Sequence, residues 1–205
     1  MILKTVIVGS MEVNCYILAS DRNSPAIIID PGDDETKIRR VLESYGLEPA
    51  FVINTHGHFD HIGCDDKFAV PVYVHSQDEE SLKDDRRNFS PFFGSNYKVK
   101  SEIKTLKDHE IVKLQDIELQ VIHTPGHTAG GISLLMKKPK DNILFTGDTL
   151  FCRGIGRTDL GGDEELLLRS IREKLLILPD NTVIYPGHGP SSTIGDEKKN
   201  NPFLN

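Results

Sequence analysis

Thr55-His56-Gly57-His58-Phe59-Asp60-His61 puts four potential metal ligands, His56, His58, Asp60 and His61, into six consecutive positions directly after the apolar run Phe51-Val52-Ile53. A short apolar run of this kind reads as a buried strand, so the ligands gather where a strand gives way to a loop. Neutral imidazoles and a carboxylate are the nitrogen and oxygen donors preferred by zinc and similar cations. A merely solvated, histidine-rich loop is the plainer alternative. It loses ground because the rest of the chain supplies further ligands in similar settings.

Those ligands are His127 in Thr124-Pro125-Gly126-His127-Thr128, Asp148 in Phe145-Thr146-Gly147-Asp148-Thr149, and His188 in Tyr185-Pro186-Gly187-His188-Gly189. Each follows a glycine, which lets the backbone turn sharply on leaving a strand and clears room beside the chain. Apolar runs at 119–122, 143–145 and 183–185 precede the three turns, so four strand ends are expected to converge on one pocket. Five of the eight histidines are then used. His75, His109 and His123 have no such context and are left out.

At this point the sequence resembles the metallo-β-lactamase-fold hydrolases, whose signature is His-x-His-x-Asp-His followed by a distant His, a bridging Asp and a last His. The resemblance covers nearly the whole chain. Asp30-Pro31-Gly32 after Ala26-Ile27-Ile28-Ile29 is similar to the family's first motif, and Gly126-His127-Thr128 and Gly147-Asp148-Thr149 to its third and fourth. Residues 144–151 and Gly156-Arg157-Thr158-Asp159 are most similar to the short glyoxalase II-like, hydroxyacylglutathione hydrolase-type branch. The resemblance implies that His56, His58 and His127 hold one metal, that Asp60, His61 and His188 hold a second, and that Asp148 bridges them. Lactamases of this fold with a cysteine in place of Asp148, and flavin-linked diiron members with a glutamate in place of His58, depart from this pattern.

Two divalent ions bring four positive charges, Asp60 and Asp148 remove two, and five neutral imidazoles add none. The excess can hold a water as hydroxide, because a catalytic metal lowers the pKa of water from about 15.7 toward about 7. Asp60 and Asp148 are accordingly the catalytic carboxylates, and no serine or cysteine nucleophile is required. The expected cofactors are two divalent ions, zinc first, with iron or manganese as alternatives. The expected reaction is hydrolysis of a small thioester of the hydroxyacyl-thiol kind. Two other readings stay open: a persulfide dioxygenase using a single iron, and a non-catalytic metal-binding module.

Around the ligands, Asp30 is either a carboxylate orienting a metal-binding imidazole or a turn residue in Asp-Pro-Gly. Thr55 and Thr128 have the same two readings. Arg157 lies where the glyoxalase II family places a basic residue that contacts the carboxylate of the substrate thiol. Full-length members of that family carry a further helical region after the last histidine that helps hold glutathione. This sequence ends at Asn205, seventeen residues beyond His188, so a smaller or different thiol is also considered.

The 205 residues, 38% of them apolar, without a Pro- or Ser-rich linker, predict one domain spanning 1–205. A net charge of −7 and a pI near 5.6 disfavour a nucleic-acid partner. The amino-terminal run alternates like a strand and is too short for a membrane span, making a cytoplasmic chain with no membrane partner the default. Cys15, Cys64 and Cys152 form no paired spacing, so no disulfide is expected.

Strands are predicted at 2–8, 13–19, 25–29, 51–54 and 71–74, then at 109–113, 116–122, 131–136, 142–146 and 182–185. Ile38, Val41, Leu42 and Tyr45 keep helical spacing up to Gly46, as do Leu167, Ile171 and Leu175 after the acidic turn Asp163-Glu164-Glu165. Helices apolar on one face must cover the outer faces of two sheets, giving an α/β, four-layer αββα sandwich of the metallo-β-lactamase type. The halves 1–100 and 101–205 look loosely alike. Residues 84–97 carry Phe89, Phe92, Phe93 and Tyr97 on backbone interrupted by Pro91 and Gly94, and are read as a mobile wall of the pocket, with a contact to another subunit or a plug at an edge of the core as the other readings.

Overall fold

Burial of both faces of two central strands decides the layering. The computed structural model describes residues 1–139 and 142–204. Strands β1 (Ile2–Val8), β2 (Val13–Ala19), β3 (Pro25–Ile29), β4 (Glu48–Ile53), β5 (Val72–His75) and β6 (Ile103–Leu106) form one sheet in that spatial order. The strands β7 (Ile111–Leu114), β8 (Ile117–His123), β9 (Ile132–Lys138), β10 (Ile143–Gly147), β13 (Val183–Pro186) and β14 (Ser192–Thr193) form the other, in the order β14-β13-β10-β9-β8-β7. Between β10 and β13 in the chain, β11 (Leu150–Phe151) and β12 (Gly154–Ile155) pair as a small ribbon.

Ile17 and Ile28 point to one face of the first sheet, where Ile38 and Leu42 of α1 (Glu35–Tyr45) cover them. Leu18, Ile27 and Ile29 point the other way and meet Leu119, Val121, Leu134 and Phe145 from the second sheet. On the far side of that sheet, Leu144 and Ile184 pack against Leu167 of α4 (Glu164–Ser170), Ile171 and Leu175 of the following turn, and Ile194 of the last helix. The layers therefore run helix, sheet, sheet, helix, as expected. Burial on both faces explains why β2 and β3 read as continuous apolar runs.

The ten predicted strands are present within a few residues of their predicted limits, and the sheets divide the chain between residues 106 and 111. Gly46 closes α1 at φ 66°, its N–H meeting the carbonyls of Leu42 and Glu43. Asp163 caps α4 by accepting from Leu166 N at 2.9 Å, but the α-helical pattern stops at Ser170 and continues as a π-type turn through Leu175. The two-residue strands β11, β12 and β14 escape the sequence reading because so short a run carries no period, and β6 escapes it as well. The same holds for α2 (Phe59–Ile62) and α3 (Glu79–Lys83), and α5 (Ile194–Asn200) presents little apolar face. All three cysteines are free. Among the described residues, no helix is long and apolar enough to cross a membrane.

Candidate metal centre

Five strands, β3, β4, β8, β10 and β13, end at one rim of the sandwich, and each is followed by a residue of the centre. Asp30 follows β3; His56 and His58 follow β4, with Asp60 and His61 on the single turn of α2; His127 follows β8, Asp148 β10 and His188 β13. Gly147 turns at φ 48°, a conformation that favours glycine. At Gly187 the reason is space: a Cβ there would stand 2.1 Å from Asp148 Oδ1 and 2.8 Å from His61 Cε1. The room that glycine clears is taken by other ligand side chains.

All seven predicted ligands meet in one cluster. His56 Nε2 lies 3.1 Å from His58 Nδ1 and 3.2 Å from His127 Nε2. On the other side, His61 Nε2 is 3.4 Å from His188 Nε2 and 3.8 Å from Asp60 Oδ2, with His188 Nε2 3.5 Å from Asp60 Oδ2. Asp148 reaches both groups, through Oδ2 to His127 and His188 at 3.6 Å each and through Oδ1 to His61 at 3.4 Å. Ligand atoms about 2.0–2.1 Å from an ion at the corners of a tetrahedron stand roughly 3.3 Å apart. The observed separations match that edge length. Asp148 Oδ1 is also buried with no hydrogen-bond donor, which is costly unless a cation meets it. The residues present fit divalent ions.

The nitrogens turned away from the cluster are held as well. Asp30 is buried and held at φ 51°. Its Oδ1 accepts from Thr55 N and its Oδ2 from Thr55 Oγ1, both at 2.7 Å, and Oδ2 stands 3.0 Å from His61 Nδ1. Thr55 Oγ1 in turn lies 3.2 Å from His56 Nδ1. Asp30 is thus both a turn residue and an orienting carboxylate. His127 Nδ1 donates to the carbonyl of Arg157 at 2.6 Å, and His188 Nδ1 to that of Met11 at 2.9 Å. Such contacts fix the ring orientation and the tautomer of metal-binding histidines.

Burial, aided by the neighbouring imidazoles, holds His56 well below its ordinary pKa and pushes His58 down to about 3. Burial opposes charge on His61 too, but the carboxylates of Asp148, Asp60 and Asp30 outweigh it and push this ring up to about 10. Burial alone would raise Asp60; His61 and His188 reverse the sign and hold it below the usual carboxylate range. Asp60 is thereby held toward the ionised form that a metal ligand needs.

Asp78, which the sequence reading passed over, joins two of the ligand loops. Its carboxylate accepts from Gly57 N at 3.0 Å, between His56 and His58, and from Gly130 N and Thr128 Oγ1 at 2.7 Å each, beside His127. Thr128 thereby contacts Asp78, and no imidazole.

Arg157 lines the cavity above the cluster, with its guanidinium paired to Asp159 through contacts of 2.7 and 2.6 Å. In the 84–97 segment Phe89 and Phe93 line the same cavity, the Phe89 ring 5.3 Å from His58. Phe92 is exposed instead, and Tyr97 packs on Phe59. His75 and His123 stack on each other at 4.0 Å, and His109 lies beside Asp108. Cys15 sits in the core, and Cys152 is absent from the cavity lining.

Comparison with known proteins agrees with this geometry. A hydroxyacylglutathione hydrolase of Haemophilus influenzae is 36% identical, with 99% of this chain and 98% of that protein covered. The crystal structure of the B3 metallo-beta-lactamase BLEG-1 superposes with a TM-score of 0.89 at 38% identity, covering 99% of each chain. That of TTHA1623 in a di-iron-bound form gives 0.83 at 31% identity, covering 98% of this chain and 100% of the other. The sequence pattern of the metallo-beta-lactamase superfamily matches residues 8–188. By fold, by the clustering of its histidines and aspartates and by that match, the chain belongs to the metallo-beta-lactamase superfamily, whose members use divalent metals.

Proposed function

We propose that this protein is a binuclear metal-dependent hydrolase that cleaves a small thioester of the hydroxyacyl-thiol type. The observation that carries the reading is Asp148, whose carboxylate reaches ligands of both groups and keeps one buried oxygen without a donor. His56, His58 and His127 would hold one ion, Asp60, His61 and His188 the other, and Asp148 both. When bound, two such ions polarise a carbonyl and lower the pKa of a water toward about 7.

The chain's own part is positioning. Asp30, Thr55 and two backbone carbonyls fix the imidazoles, and Phe89 and Phe93 shield the reacting bond from bulk water. The similarity to a hydroxyacylglutathione hydrolase supports the thioester. A second reading, β-lactam hydrolysis, is favoured by 38% identity to a protein described as a B3 metallo-beta-lactamase, although the aspartate at 148 replaces the cysteine expected of some lactamases.

Metal analysis of purified protein, coupled to a panel of thioesters, β-lactams, phosphodiesters and persulfides, tests the proposal. Two metals per chain and preferential thioester cleavage are expected. One iron per chain with oxygen consumed on a persulfide replaces the proposal with a dioxygenase, and preferential cleavage of a β-lactam replaces it with the second reading.

A further inference from the structure

The proposed hydrolysis leaves the non-reacting part of the substrate undefined, and the wall opposite the ligands bears on it. A cavity of about 330 Å³ opens above the cluster, within the size range of small-molecule sites. Met11, Phe89, Phe93, Phe151, Ile155 and Leu160 form its wall. Three of them remain well exposed: Met11 at 46%, Phe93 at 45% and Leu160 at 38%. A smaller hollow of about 40 Å³ shares Met11 and Phe93 and is lined further by Val8, Val13 and Phe59 together with Asp33 and Asp60. Large apolar side chains left open to water at the mouth of one cavity are a surface that a ligand can cover.

The charges of the cavity point the same way. Arg157 brings a guanidinium to the lining, and Asp159 meets it in a two-pronged contact. On the ligand side, Asp60 and Asp148 are turned to the histidines with which they would hold the ions. A neighbouring groove past Phe89 contains Arg87, which has its own partner in Asp84 at 3.9 Å. Glutathione carries two carboxylates and an ammonium, whereas the wall away from the ligands is apolar apart from Asn88 and Arg157, whose guanidinium Asp159 already meets.

We infer that the cavity is built for an uncharged apolar chain, so that the substrate is a thioester of an aliphatic or aromatic partner rather than of glutathione. This rests on the proposed thioester hydrolysis. The chain lies along Phe93, Leu160 and Met11 while the reacting carbonyl faces the ligands. Covering these side chains removes apolar surface from water, which strengthens binding about fourfold per methylene, the equivalent of about 0.8 kcal/mol.

Calorimetric titration of the zinc-loaded protein with ethane-, propane-, butane- and pentane-1-thiol, and with glutathione, reads the inference from dissociation constants. The constant is expected to fall about fourfold with each added methylene, and glutathione is expected to bind no tighter than ethanethiol. Phe93→Ala and Leu160→Ala, both at partly exposed positions, should flatten the chain-length series with metal content unchanged. Tighter binding of glutathione than of pentanethiol, a flat series, or no binding of any thiol overturns the inference. Because the readout is binding, a steep series in a protein that cleaves no thioester defeats the proposed function while leaving the apolar cavity in place. Rapid thioester cleavage with a flat series does the reverse.

Discussion

The two sheets supply the candidate centre in different ways. The first delivers four ligands on one connection, and the imidazoles His56 and His61 are steadied by side chains, Thr55 and Asp30. The second delivers His127, Asp148 and His188 from three separate strand ends, and its imidazoles are steadied by backbone carbonyls of Arg157 and Met11. A ring held by a side chain depends on that residue's identity. A ring held by a carbonyl depends on the path of the chain and tolerates any side chain that keeps the path.

Asp148 is where the two arrangements meet, so its loss should have the largest effect. Asp148→Ala is expected to lower hydrolysis by about 10³-fold or more, the upper end of losses seen when a group aimed at developing charge is removed, and to weaken both metals. His109→Ala should be silent. Elemental analysis with turnover of the best thioester checks both; equal losses would mean the ligand set is misassigned.

Asp30→Ala should come next. It leaves Thr55 N and Oγ1 without their acceptor, frees His61, and puts alanine at φ 51°. Metal affinity is expected to fall about 10–100-fold. Asp30→Asn tolerates that backbone conformation and keeps an acceptor for Thr55 N, so it should recover most of the thermal stability without recovering metal affinity. If asparagine restores both, the carboxylate acts only as a turn residue and the contrast between the sheets weakens.

The same contrast explains what the sequence disclosed. The four crowded ligands and the three glycine-led ones were readable because ligand chemistry and turn chemistry are local. The apolar runs of β2 and β3 and the spacing of Ile38 and Leu42 disclosed the layers for a similar reason. Asp30 was readable as turn or acceptor and proved to be both. The carbonyls of Arg157 and Met11 have no sequence signature at all. Asp78 was hidden because Gln77-Asp78-Glu79-Glu80 reads as a solvated acidic run, while its partners lie 21, 50 and 52 residues away.

Asp78 therefore supplies a third, intermediate test, since it ties the first sheet's ligand loop to the His127 loop. Asp78→Ala strands two backbone donors and a hydroxyl. Each unsatisfied buried group costs about 1–3 kcal/mol, and a protein of this size loses about 2–4 °C of melting temperature per kcal/mol. A fall of roughly 6 °C or more follows. Metal loss should be greater at His56, His58 and His127 than at Asp60, His61 and His188. Uniform loss across both groups would make Asp78 a general stabiliser instead of a clamp on one of them.

The smallest effect should belong to Arg157. Its carbonyl accepts from His127, yet its guanidinium is engaged with Asp159 at the surface, and exposed pairs of this kind contribute little. Arg157→Ala keeps the carbonyl and removes only the side chain, so metal affinity should stay within about twofold, the usual range for a surface substitution. Met11→Ala should behave alike toward His188. Competitive chelator titrations of both variants, run beside Asp30→Ala, compare carbonyl-held with side-chain-held rings directly. A tenfold loss of metal in Arg157→Ala would mean that the guanidinium and Asp159 set the path of that loop. His127 would then depend on a side chain after all, and the distinction between the two sheets would fail at the position where it is most exposed to test.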